Sequence, residues 1–247
     1  TEFRINMFNS KNKYGLAREI PAVIKREVRQ RDGFGCVFCA VPIIEYEHVD
    51  PIFVEAKEHK TSGITLLCPT CHAKVTKNQI SKELVKQAMT RPAALKGGQV
   101  GYELLFTQSH PIVVVGGATF RECNIPIKFR NHEIISIRKE DDRYFLNANL
   151  WDRNGKQTLK IIDNEWITFN ENIWDLTIIG NKITIHEKER LPALIFKIEN
   201  NNIFEIERID MVIDGCRISS NTNVLQVNGM RMMSCSMNRC HIGMLIG

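Results

Sequence analysis

No run in these 247 residues approaches the roughly 20 consecutive apolar residues a membrane-spanning helix needs. The stretch Thr-Glu-Phe-Arg-Ile-Asn at positions 1–6 has no apolar signal-peptide core, although processing can remove a leader. The expectation is a soluble, cytoplasmic protein without a membrane partner. With only 15 glycines there is no collagen-like repeat, and no heptad pattern suggests a coiled coil. Apolar depletion is missing too: 43% hydrophobic and 25% charged residues exclude wholesale disorder and allow one large or two modest cores.

Charge is unevenly spread. Residues 1–100 carry sixteen Lys/Arg against ten Asp/Glu, and residues 101–247 carry seventeen against eighteen. The whole net charge of +5 therefore lies in the first part. A basic segment beside a neutral one suggests contact with a polyanion, the plain alternative being a solvated basic face.

Four of the eight cysteines form two Cys-x-x-Cys pairs, Cys36 with Cys39 and Cys68 with Cys71. In a chain of this size without a leader, that pattern favours a metal over disulfides. Four thiolates can surround one Zn²⁺ tetrahedrally and leave no position for substrate, so the site is expected to be structural. Four reduced thiols without metal are the alternative. Cys123, Cys216, Cys235 and Cys240 show no such pairing and read as small buried hydrophobes.

Pro21–Arg31 predicts a basic helix with proline in its first turn, closed by Asp32-Gly33. Short strands are expected around Ile43–His48, then a loop from Asp50 to Gly63. A helix from about Pro69 carries His72, and another runs from Ser81, as N-cap, to about Met89. Lys96-Gly97-Gly98 reads as linker. Beyond Gly101 helical periodicity is nearly absent. Short β-branched runs recur instead, among them Ile112–Val115, Ile203–Ile206, Met211–Ile213 and Val224–Val227, with Asn154-Gly155, Gly180-Asn181 and Asp214-Gly215 among the separating turn pairs. Such spacing predicts a sandwich or another closed β architecture. The tail from Met230 to Gly247 has no clear period.

Between and beside the cysteine pairs lie Glu47-His48-Val-Asp-Pro51 and Cys71-His72-Ala-Lys74. Three elements appear in order over about Arg26 to Lys77: Arg-Asp-Gly-x-x-Cys-x-x-Cys, Glu-His-Val-x-Pro and Leu-Leu-Cys-x-x-Cys-His-x-x-x-Thr-Lys. This block, about a fifth of the chain, resembles the HNH family of ββα-metal nucleases. The resemblance implies that His48 is the general base, neutral at physiological pH and able to take a proton from water. It implies that Glu47 and His72 ligate a catalytic Mg²⁺ or Mn²⁺, with Glu47 standing where the family more often has aspartate. Two protein ligands suit a hard cation that keeps its water. Where the family has its central asparagine, nine residues before His72, this chain has Gly63. Backbone freedom at glycine, with help from Ser62 or Thr65, is the expected substitute for the lost loop bonding.

Lys25, Arg26, Arg29, Lys74 and Lys77 are the candidate DNA-phosphate contacts, giving salt-sensitive affinity of low sequence specificity. His59, with Glu55 and Glu58, offers further ligands or simply a solvated loop. Cys235, Cys240 and His241 form an unconvincing second metal cluster. Trp166 and Trp174 read as core, or as an aromatic groove. No phosphate loop or nucleophile triad marks the second half, which suits protein contact, self-association or sensing.

The expected fold class is α+β. A zinc-stabilised ββα-metal domain spans 1–95, a linker 96–105 and an all-β, sandwich-like domain 106–247. The expected function is metal-dependent endonucleolytic hydrolysis of DNA leaving a 5′ phosphate, with an architecture like that of effectors of bacterial antiviral defence. The alternatives are a catalytically weak or inactive zinc-stabilised nucleic-acid-binding protein, and a nuclease subunit activated by a partner or ligand.

Overall fold

The computed structural model describes residues 11–247; Thr1–Asn6, read above for the absence of a leader, lie outside them. The chain divides into two compact units, residues 1–100 and 101–247. No helix among the described residues is long and apolar enough to cross a membrane.

The first unit begins with α1 (Ala22–Asp32), whose chain direction is set by Pro21 and whose end is closed by Gly33 in the left-handed conformation (φ 76°). Two four-residue strands, β1 (Glu45–His48) and β2 (Ile64–Leu67), pair antiparallel, with Glu47 opposite Thr65 and His48 opposite Ile64. The helix α2 (Pro69–Thr76) follows β2 directly, with proline in its first turn. Then α3 (Lys82–Thr90) starts at Ser81, whose Oγ accepts the amide of Leu84 at 3.2 Å. The short helix α4 (Ala93–Gly97) takes up residues expected to begin a linker.

All four residues of β2 are buried, which marks it as the centre of the unit. Ile64 and Leu66 pack with Ile20 and Val28 from the α1 side. Leu67 packs with Cys36, Cys68, Cys71, Val75 and Val85. Between these clusters sits Asp32, fully buried. Its carboxylate accepts the Thr65 hydroxyl at 2.7 Å and the Leu66 amide at 3.1 Å, and pairs with Arg31 at 2.7 Å. A buried carboxylate is tolerable only when satisfied in this way. Asp32-Gly33 closes the helix as expected, and the buried Asp32 carboxylate also ties α1 to β2.

Strand β3 (Gln99–Glu103) runs across the boundary into the second unit, which holds β4 (Ile112–Val115), β5 (Ala118–Phe129), β6 (His132–Glu140), β7 (Arg143–Trp151), β8 (Gln157–Ile162), β9 (Glu165–Phe169) and β10 (Asp175–Ile179). It continues with β11 (Lys182–Lys188), β12 (Leu191–Glu199), β13 (Ile203–Ile213), β14 (Cys216–Asn221), β15 (Val224–Val227), β16 (Met230–Met232) and β17 (Cys235–Ile246). The sandwich expectation needs correction. Hydrogen bonds join all fifteen strands into one large curled sheet, because β13 pairs with β12, β14 and β4, and β5 pairs with β4, β6 and β17. Most neighbours are antiparallel hairpins, while β13–β4 and β17–β5 are parallel.

The turn pairs explain the hairpins. Asp214 and Gly215 both have positive φ (45° and 78°) between the paired residues Ile213 and Cys216, the backbone that a two-residue turn of matching twist requires. Asp163-Asn164 does the same between β8 and β9. Trp166 is fully buried and packs edge-on to Phe196 at 6.3 Å, so it is core and lines no aromatic groove. The unassigned tail is β16 and β17. There a second correction falls: Cys123 and Cys240, read as isolated hydrophobes, form a disulfide across the β5–β17 pair. Cys240 is thereby removed from any metal cluster with Cys235 and His241.

Candidate functional site

Two sites lie in the first unit. In the first, the Sγ atoms of Cys36, Cys39, Cys68 and Cys71 all lie within 4.8 Å of one another. Cys39 and Cys68 are 3.6 Å apart. Tetrahedral Zn–S bonds of about 2.3 Å put neighbouring sulfurs about 3.8 Å apart, so the cluster has the dimensions to hold a zinc ion. Cys68 also caps α2, its sulfur accepting the Cys71 amide at 3.4 Å, which fixes that pair at the helix entrance. Burial pushes the Cys39 thiol up to about 11, with the Cys36 sulfur adding to it, and burial raises Cys71 as well. Cys68 shifts the other way, lowered against the effect of burial by hydrogen bonds from Cys71 and its neighbours, so the cluster already favours one thiolate, and a central cation would favour the rest.

The second site is a cleft of about 580 Å³ lined by Arg18, Tyr46, Glu47, His48, Phe53, His72, Asn78 and Lys82, among others. Strand β1 supplies Glu47 and His48, and α2 supplies His72. Glu45 and Glu47 share one face of β1 because side chains alternate along a strand, and both reach His72. Glu47 Oε2 lies 2.7 Å from His72 Nε2, and Glu45 Oε2 lies 2.6 Å from Nδ1. The structure thus brings together the three residues implied by the resemblance, from positions 47, 48 and 72.

Two cleft residues, Lys82 and Arg18, were not singled out from sequence. Lys82, in the first turn of α3, pairs with Glu47 Oε1 and donates to the His48 carbonyl at 2.9 Å. Its only advance signal is its place after the Ser81 cap. Arg18 stacks on the Phe53 ring at 4.8 Å. His59, offered as part of a solvated loop, is half-buried with Nδ1 3.0 Å from His48 Nε2. Glu55 and Glu58 remain exposed, and Glu58 pairs with Lys60 at 2.9 Å. Burial, then His59, then Arg18 lower His48 from 6.5 to about 4, which keeps its imidazole neutral at physiological pH.

Gly63 is required for a different reason from the one expected. Its φ is not in the left-handed region. A Cβ there would lie 2.2 Å from the Asp50 carbonyl oxygen, because the Gly63 carbonyl accepts the Val49 amide at 2.8 Å and brings the two segments together. Thr65 is committed to Asp32 and does not replace the asparagine. Arg31 holds this loop instead, donating to the carbonyls of Thr61 and, at 2.6 Å, Ile64.

Of the basic candidates, Lys74 and Lys77 are exposed on and just after α2. Lys25 pairs with Glu19 at 2.6 Å, and Arg29 donates to the Tyr46 hydroxyl at 2.6 Å. Arg26 is half-buried and engaged. No family model, curated protein or solved structure matches this chain.

Proposed function

We propose that the first unit is a metal-dependent DNA endonuclease of the HNH type, pinned by a structural Zn²⁺ on Cys36, Cys39, Cys68 and Cys71. The observation carrying this reading is the convergence of Glu47, His48 and His72 on one cleft, from an antiparallel strand pair and the helix that follows it. The donor set fits a hard divalent cation: a carboxylate and an imidazole 2.7 Å apart, with Glu47 already carrying a positive partner in Lys82.

Glu47 and His72 would hold Mg²⁺ or Mn²⁺, and Lys82 would move aside or share the carboxylate. The ion supplies positive charge to the scissile phosphate and the departing 3′ oxygen. His48, neutral in its pocket, takes a proton from the attacking water; the phosphate's negative charge raises its basicity once substrate enters. A 5′ phosphate remains on the product. Lys74 and Lys77 give backbone affinity, with Lys25, Arg26 and Arg29 contributing where their present partners release them.

One observation favours a second reading, a binding protein without catalysis: His72, Glu45, Glu47 and Lys82 already satisfy one another through short polar contacts. Plasmid nicking separates the two. The nuclease should cut in Mg²⁺ or Mn²⁺, stop on chelation and lose activity in His72→Ala. Plasmid binding without cutting at any divalent-ion concentration would support the second.

A further inference from the structure

Among the described residues, His59 is the histidine within bonding distance of His48, and its own far side is fixed. Its Nε2 lies 3.0 Å from the Ala17 carbonyl oxygen. A carbonyl oxygen only accepts, so His59 Nε2 must carry a proton. In the neutral ring, Nδ1 is then bare and accepts. It faces His48 Nε2 at 3.0 Å, so that nitrogen must be the donor. The proton sequence His48 Nε2–H to His59 Nδ1, then His59 Nε2–H to Ala17 O, leaves one free lone pair on His48, at Nδ1.

We propose that His59 is a positioning residue which, anchored on the Ala17 carbonyl, holds His48 in the tautomer whose Nδ1 can accept a proton. This rests on the nuclease reading for its kinetic consequence, but the tautomer itself does not. The loop carrying His59 is itself held: Asn12 Nδ2 donates to the carbonyls of Phe53 and Ala56, both at 2.6 Å. The His48 ring is flanked by Phe53, 5.4 Å away and edge-on. Two independent contacts thus restrain His48, an aromatic wall and a directional hydrogen bond. Only the second selects a tautomer.

The test is long-range ¹H–¹⁵N correlation on the full chain labelled with ¹⁵N-histidine, with His48 identified by its signals' loss in His48→Ala. The expected result is a proton on His48 Nε2 and a bare Nδ1. In His59→Ala the two nitrogens should move toward averaged shifts. In His59→Gln, whose amide oxygen can accept, the fixed pattern should return. In cleavage assays, kcat should fall roughly 10–100-fold in His59→Ala with KM unchanged, and recover in His59→Gln. A proton on His48 Nδ1 in the wild type, or an unaltered tautomer in His59→Ala, overturns the proposal. Should the wild type cut no DNA, the nuclease reading fails while the nitrogen shifts still decide the tautomer.

Discussion

Glu47 Oε2 meets His72 Nε2 at 2.7 Å, while the other oxygen of the same carboxylate is held by Lys82. The carboxylate therefore already balances a cation. Burial lowers the Lys82 pKa, so its charge is less favourable there than on the surface. If a divalent ion uses Glu47, it competes with that ammonium. Lys82→Met should then bind Mn²⁺ several-fold more tightly in calorimetry, because the competitor is gone. Unchanged or weaker Mn²⁺ affinity would show that Lys82 and the ion do not share the carboxylate.

The four-cysteine cluster predicts about one zinc per chain by elemental analysis. Its sulfurs close the core cluster that includes Leu67, Val75 and Val85. Apparent zinc-binding energies in small zinc domains are about 10–16 kcal/mol at neutral pH, more than such a unit can otherwise supply. Cys36→Ser, or a strong chelator, should unfold the first unit and leave the β-sheet circular dichroism of the second. Retention of full zinc in Cys36→Ser would remove these ligands from the account.

Gly63 makes a prediction against intuition. Placing an asparagine there should harm the protein, since the new Cβ would sit 2.2 Å from the Asp50 carbonyl oxygen. Gly63→Asn should lose about 2 kcal/mol or more in urea unfolding, the scale of forced backbone shifts in a packed site. Arg31→Ala should loosen the same loop by freeing the Thr61 and Ile64 carbonyls.

In the second unit Glu207 accepts Lys182 at 2.7 Å and pairs with Lys197 at 3.0 Å. Burial would raise its pKa, but the two ammonium groups outweigh burial and lower it from 4.5. A carboxylate lowered on folding contributes stability that is complete above its unfolded pKa and lost as pH falls through the folded one. The second unit should therefore weaken below about pH 4.5. Glu207→Gln should flatten this acid limb in melting curves taken across pH.

How much of this was legible in the sequence follows from distance along the chain. Cys-x-x-Cys spacing, the Ser81 cap and the Asp214-Gly215 turn act within four residues, and each is found where local chemistry puts it. The expected strand Ile112–Val115 agrees with β4, and Val224–Val227 with β15. Ile203–Ile206 and Met211–Ile213, read as two strands, are one, because sheet pairing on both sides carries β13 through the intervening charges. Strand β17 had no readable period; its parallel pairing with β5 and its disulfide join residues 117 apart. The same reason hid the contact of His59 with His48 and the role of Lys82. Neither has a local signal, since each acquires its role only when loop and helix fold back onto β1. Asp32-Gly33 does end α1, as an Asp-Gly pair signals, but only the tertiary fold reveals that the Asp32 carboxylate is buried.

The most direct measurement is plasmid cleavage by wild type and His48→Ala, at matched zinc content and matched melting temperature, in Mg²⁺ or Mn²⁺. The account predicts that wild type cuts and that the variant is slower by roughly 10²–10⁴-fold, the range for a lost general base. Equal cutting by the two proteins would contradict it.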